Sequence, residues 1–313
     1  MLGIAVDNQA LHYAQLVDTG GITSIESVGS LALTIPTEAF LTAPLPASFT
    51  HTLVQLREKL EFPDRRVICV LPMRWVPHCF QRMDKELPES DWQKFLDWQG
   101  GTIMEVNPRE YRLIHQELEL DNATDVRYFI SVALPVKLHI KLKNAFEQAD
   151  WNLEKLILES EALGNYLLLD SIEAESQDLT GLFRTRNPQE GQFLLFKNQE
   201  WVGETYLFRD AEETWRTEVV WTAVNDTFAI VDEVRDALNG LPSTQDSPFL
   251  NWYYLCQADD MPEWRENLEH LGVGRPLFME DLFTLRDMPE EKLSTLAGAM
   301  GALIPLLPLN HAD

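Results

Sequence analysis

His78 stands beside Cys79 with Asp84 nearby, and a thiol, an imidazole and a carboxylate are the groups of a nucleophile with its base and its orienting partner. Such a set is defined by geometry in space and not by adjacency in sequence, and the pattern here reads as a strand end with a histidine and a buried thiol. His115, His139 and His270 fall in separate predicted elements without the spacing of a helical metal pair, and His311 lies in a tail, so no metal site is expected. The acid pairs Asp259-Asp260 and Glu290-Glu291 have the right type for general acid and base work. Each stands near a predicted helix start, where carboxylates stabilise exposed amides, and capping is the expected role.

Cys69, Cys79 and Cys256 follow no metal-ligand spacing, and their odd number argues against a closed disulfide framework and for a reducing compartment. The chain has 313 residues, 45% of them hydrophobic, enough for a large core arranged as two linked lobes or as a body with an insertion. Its formal charge of −25, from 50 acidic and 25 basic residues, repels nucleic acid and anionic lipid and favours a basic or polar partner segment. The start Met1-Leu2-Gly3-Ile4 has no signal-peptide character, and no apolar run reaches roughly 20 residues. A cytoplasmic protein with at most peripheral membrane association is expected.

The elements that must position these residues follow from hydrophobic period. Leu2, Ile4 and Val6 alternate, Asp7-Asn8 marks a turn, and Leu11 and Tyr13 resume the alternation, predicting a hairpin with a third strand over 24–33. Leu53, Leu56 and Leu60 recur at helical spacing before a buried strand over 66–71. A second unit follows: a strand from about 80, a helix over 90–99 broken by Gly100-Gly101, strands over 111–120 and 127–134, and a helix carrying Leu138, Leu142, Ala145 and Phe146 on one face. Trp92, Phe95 and Trp98 give the first of those helices an aromatic face, read as core with an exposed member available to a partner. A strand over 151–158 runs into a helix at Glu159, and the polar stretch 171–177 marks a lobe boundary. Paired strands over 193–196 and 201–208, helical segments over 215–223 and 231–238, a strand over 252–256 and a helix over 262–271 stopped by Gly272 complete the reading. Gly298-Ala299-Met300-Gly301 reads as a closely packed core helix.

Four stretches carry a resemblance: Gly3-Ile4-Ala5-Val6-Asp7 with its hairpin; 67–71 followed by Pro72; 129–149 running on to Glu159-Ser160-Glu161-Ala162-Leu163; and 253–271 with Gly272. In order and spacing the chain resembles the PilM branch of the actin-like superfamily, whose relatives include FtsA and the cytoplasmic part of GspL. The resemblance implies an α/β, ribonuclease H-like two-lobe fold with an inserted small α+β subdomain. Its implied divisions are a first lobe over 1–80, the insertion over 81–158, a return helix over 159–178, a reduced second lobe over 179–294 and a C-terminal helix over 295–313 that returns to the first lobe.

Actin-like ATPases need an acidic residue, a glycine and small hydroxyl residues at the first phosphate loop, so that backbone amides approach the phosphates and a carboxylate holds metal-bound water. The matching positions here are Ala5 for the acid, Asp7 for the glycine, Asn8, Gln9 and Ala10 for the hydroxyls, and His12 for the lysine. A shifted register makes Asp7 the acid but still supplies neither glycine nor hydroxyl. The second phosphate loop reads Leu182-Phe183-Arg184-Thr185-Arg186-Asn187-Pro188, and the adenine-contacting glycines fall in Gln257-Ala258-Asp259-Asp260. The resemblance is therefore to a pseudo-ATPase that needs no cofactor. Two alternatives stay open: an ATP-binding ATPase with a divergent site at Asp7, Asn8, Thr185 and Asp259, or an actin-like subunit that self-associates and polymerises.

In this family the N-terminus of a single-pass inner-membrane partner, PilN, docks between the inserted subdomain and the first lobe. The resemblance implies a non-catalytic scaffold of a type IV pilus or related secretion machine. Its groove is expected at a sheet edge over 127–134 with Tyr128, Phe129 and Ile130, beside Leu138 and Leu142 of the following helix and the surface over 74–80.

Overall fold

The computed structural model describes residues 1–7, 10–20, 22–33, 45–60, 63–118, 125–169, 179–187, 190–197, 200–209, 215–222, 251–256, 275–279, 283, 285 and 293–307. Two short runs with almost no polar residue, LGIAV and RVICVL, become strands buried on both faces: β1 (Leu2–Val6) and β4 (Arg66–Leu71). β1 pairs antiparallel with β2 (Ala10–Thr19), and β2 with β3 (Ile22–Ala32). On its other side β1 runs parallel to β4, and β4 parallel to β8 (Asn152–Leu158), so the first sheet has the order β3-β2-β1-β4-β8.

Helix α1 (Ala47–Leu60) buries Phe49, Leu53 and Leu56 at the three- and four-residue spacing of one helical face. Before β8 comes α3 (Val136–Gln148), which buries Leu138, Leu142, Ala145 and Phe146. The two helices meet at the Phe49–Phe146 edge contact, 6.1 Å between ring centroids, and Trp151 donates its indole N–H to the Leu53 carbonyl at 3.1 Å.

Between β4 and α3 lies a three-stranded antiparallel sheet, β5 (His78–Asp84), β6 (Tyr111–Leu118) and β7 (Val126–Pro135), in the order β5-β7-β6. It is backed by α2 (Glu89–Ile103), with a small core of Met83, Leu96 and Phe129. The helix does not break at Gly100-Gly101 as expected. A Cβ at Gly100 would lie 2.3 Å from Gln81 Nε2, so the glycine lets the helix approach β5, and the chain turns only at Glu105, in the left-handed region at φ 53°. The insertion is also shorter than the expected 81–158: β8 is a strand of the first sheet and α3 packs on α1 and β8, which leaves β5 through β7 as the inserted unit.

The chain then makes α4 (Glu159–Gly164) and a 3-10 turn (Asn165–Leu168), and the second sheet begins at Leu179. There β9 (Leu179–Asn187), β10 (Glu190–Lys197), β11 (Glu200–Arg209) and β12 (Trp215–Thr222) form an antiparallel meander. β13 (Asn251–Cys256) and β14 (Arg275–Phe278) extend it in parallel beyond β9. With β12 set aside, the order β11-β10-β9-β13-β14 repeats that of the first sheet. The helix expected over 215–223 is instead strand over 215–222: aromatic and β-branched residues dominate WRTEVVWT, and pairing along β11 decides the outcome.

Between the two sheets runs α5 (Leu293–Gly301). Its small residues permit contact at backbone distance, since a Cβ at Gly301 would meet the Ala162 carbonyl oxygen at 2.1 Å and one at Gly3 the Ala299 carbonyl at 2.2 Å. Tyr166 donates to the Ala297 carbonyl at 3.1 Å, and one apolar core continues from Leu2 through Phe183 and Phe193 to Leu303. The predicted elements over 231–238 and 262–271 with Gly272, and the residues Asn8, Ala258 and Asp259, lie outside the described residues.

Candidate functional site

Asp7 ends β1 and closes the following turn on itself. Its amide donates to the Ala10 carbonyl (3.0 Å), its Oδ1 accepts the Ala10 amide (2.7 Å) and its Oδ2 accepts His12 Nε2 (2.8 Å). In the neutral imidazole Nδ1 is left to accept the Ser30 hydroxyl at 2.8 Å. Ala5 faces α5, its methyl 3.3 Å from where a Cβ on Gly298 would stand. On β9, Arg184 is buried, with Nε donating to Gln192 Oε1 at 2.8 Å and Nη2 paired with the Glu159 carboxylate; Gln192 in turn donates to the Tyr206 hydroxyl at 3.3 Å. The backbone of Arg186 continues β9.

These groups do not fit a magnesium-bound triphosphate. Phosphate oxygens need convergent donors, and an amide beside the first turn is already consumed by a carboxylate of the wrong sign. The buried cation on β9 is neutralised by Glu159.

The pairing of His78 with Cys79 also dissolves in three dimensions. Neighbours on a strand point to opposite faces: Cys79 lies within 3.7 Å of Gln81 Nε2 on the α2 side, while the His78 ring stands 5.6 Å from that of Trp201 on the other. Burial lowers the pKa of His78, whose Nδ1–H donates to the Val76 carbonyl (2.7 Å), and raises that of Cys79. Asp84 instead accepts the Glu86 amide at 2.9 Å.

Two carboxylate–imidazole–hydroxyl rows form only in three dimensions. One is Asp7–His12–Ser30; the other is Asp97–His115–Ser131, with 2.9 Å from Asp97 to His115 Nε2 and 2.5 Å from Nδ1 to Ser131. His12 and Ser30 are register partners across β2 and β3, as are His115 and Ser131 across β6 and β7, so the strand register was the signal that could have found them. Ser131 is fully buried and also accepts Gln81 Nε2 at 2.8 Å, which makes it a tie between helix and sheet and not a nucleophile.

The described surface also carries a groove of about 540 Å³. One wall is the face of the inserted sheet that points away from α2, with Ile114 and Gln116 of β6 and Ile130, Val132 and Leu134 of β7. Opposite are Leu71, the end of β8 and the residues Ser160, Glu161 and Gly164 of α4, and the β10–β11 hairpin closes the end with Phe196, Glu200 and Trp201. The expected groove residues are divided by this geometry. Ile130 lines it, Tyr128 is half-buried on the same face, and Phe129 points the other way into the α2 cluster. Leu138 and Leu142 are core residues at 1% and 0% exposure and do not belong to it. Nor is 127–134 an edge: β7 is paired on both sides, the edge strands of this sheet among the described residues are β5 and β6, and of the two it is β6 that lines the groove.

Of the aromatic helix face, Trp92 stacks edge-on to Phe129 at 6.5 Å, whereas Trp98 is 68% exposed. Among the described residues no group of histidine, cysteine and acidic side chains has the arrangement of a metal site, and no helix is long and apolar enough to cross a membrane.

Against solved structures, the chain superposes on the PilM–PilN type IV pilus biogenesis complex with a TM-score of 0.62 and 13% identity, over 98% of this chain and 96% of that one. The chain has the PilM fold. Two further matches are the cytoplasmic domain of EpsL, an inner membrane component of the type II secretion system of Vibrio cholerae (TM-score 0.45, 8% identity, 96% and 94% covered), and the ethanolamine utilization protein EutJ of Carboxydothermus hydrogenoformans (TM-score 0.44, 9% identity, 97% and 89% covered). No family model matches the sequence, and no curated protein does. The expected two-lobe, actin-like α/β architecture is thus present, carried by order and spacing at low identity.

Proposed function

We propose that this chain is a non-catalytic scaffold on the cytoplasmic side of a type IV pilus or related secretion machine, and that it docks the N-terminal segment of a PilN-type inner-membrane partner. The observation that carries this reading is the apolar groove between the inserted sheet and the first lobe, in a chain with the PilM fold. An extended segment laid along the open side of β6 would make backbone hydrogen bonds there and send alternate side chains into the groove. The net charge of −25 steers a basic segment toward the chain. Docking of this kind would bring the chain to the membrane through its partner. The mismatch of Asp7, Arg184 and Glu159 with triphosphate supports the non-catalytic half of the reading.

Vesicle flotation tests it. With a single-pass PilN-type protein reconstituted, the chain should float with the vesicles, and with the partner's N-terminal segment deleted it should stay at the bottom of the gradient. Equal flotation on bare vesicles of the same lipid would contradict the reading.

A further inference from the structure

We infer that the second lobe supplies the closing wall of the docking groove, and that Trp201 and Glu200 select the segment that enters it. This rests on the docking reading above and adds a recognition surface that the first lobe and the insertion lack.

Three observations converge on the β10–β11 hairpin. The ladder slips between Leu195 and Phe196, a bulge that re-aims the strand end, and beyond it Phe196 pairs with Trp201. Phe196 then presses onto α4 so closely that a Cβ on Gly164 would lie 2.7 Å from its ring, so the glycine is what admits it. Trp201 crosses to the inserted sheet, its ring centroid 5.6 Å from that of His78 and 6.0 Å from that of Phe80. It is 8% exposed and forms part of the groove lining, with Glu200 beside it. A segment in the groove therefore touches elements of both lobes and of the insertion.

The chemistry of this wall specifies its occupant. A large flat ring of low exposure rewards an aliphatic or aromatic side chain, the kind of contact that dominates interfaces. The neighbouring carboxylate of Glu200 adds a preference for lysine or arginine one or two positions away along an extended segment. The predicted ligand is an extended segment that pairs one apolar anchor with one basic residue.

The test is a titration of a labelled N-terminal peptide from a PilN-type protein against the intact chain and its Trp201→Ala, Trp201→Phe and Glu200→Lys variants, followed by fluorescence anisotropy at two salt concentrations. Trp201→Ala should weaken binding by about tenfold or more, and Trp201→Phe by less. Glu200→Lys, on a strand end, keeps the apolar wall; it should weaken binding and flatten the salt dependence. Binding by the unmodified chain with equal affinity in all three variants would overturn this inference and leave the docking reading standing. No binding by the unmodified chain would overturn both.

Discussion

The carboxylate of Glu159, the first residue of α4, pairs with the guanidinium of Arg184 on β9, and both side chains are buried, at 8% and 4% residue exposure. This ion pair joins the end of the first sheet to the start of the second, and Gln192 and Tyr206 extend it across β10 and β11. Removing one partner leaves the other charged and desolvated. Glu159→Ala should therefore cost about 3–5 kcal/mol in urea unfolding, and Glu159→Leu with Arg184→Met should recover most of it. Full recovery is not expected, because Gln192 loses its acceptor role toward Arg184. A Glu159→Ala variant as stable as the parent would remove the pair's role as a strut.

Phe129 and Ile114 separate stability from docking. Phe129 is 4% exposed and packed with Met83 and Leu96 beneath α2, so Phe129→Ala should lower stability by about 3–5 kcal/mol while the folded fraction keeps its affinity for the partner segment. Ile114 is 46% exposed on the open strand of the groove, and Ile114→Arg should leave stability within about 0.5 kcal/mol and abolish docking. Paired denaturation and binding curves check both.

These two residues also mark how far the sequence was legible. The doubly buried runs of β1 and β4 announce themselves by unbroken apolar composition, the hairpin at Asp7 and the helical face of Leu138 and Leu142 by period, and they carry most of the fold. Which face of β7 looks into the groove does not, since the alternation of Phe129 and Ile130 is equally apolar on both sides and only the order β5-β7-β6 shows that β7 has no free edge. Gly100 read as a helix stop because a glycine needed for close approach to Gln81 looks the same in sequence as one needed for a turn. Arg184 and Glu159 are 25 positions apart, and nothing in their type distinguishes a buried pair from two solvated charges.

A surface pair gives a pH signature. Arg66 holds Asp64 through Nε to Oδ1 at 3.0 Å and Nη2 to Oδ2 at 2.8 Å, and this hydrogen bonding keeps the carboxyl well below the usual carboxylate range. A depressed folded-state pKa contributes stability above the unfolded value, near pH 4, and that contribution is lost as pH falls below it. Asp64→Asn should therefore lower stability at neutral pH and converge with the parent in strong acid, as followed by chemical unfolding at a series of pH values. Parallel curves at every pH would show that the pair adds nothing.

The thiol of Cys69 is fully buried in β4, and desolvation pushes it up to about 12 from an ordinary 9.0. Only the thiolate is alkylated, so at pH 8 iodoacetamide should leave Cys69 unlabelled in the folded chain and label it in urea, as read by peptide mass mapping. Rapid native labelling would mean that β4 opens locally, contrary to its pairing on both sides with β1 and β8.

One calorimetric experiment tests both whether the groove binds a protein segment and whether the chain binds nucleotide. The purified chain is titrated with the N-terminal peptide of a PilN-type protein and, separately, with Mg-ATP. Saturable peptide binding at micromolar concentrations, with no ATP heat up to about 1 mM, a level at which even a weak site of about −4.1 kcal/mol would begin to fill, is the predicted result. Micromolar ATP binding with no peptide heat would contradict it and return the chain to the nucleotide-driven members of its fold.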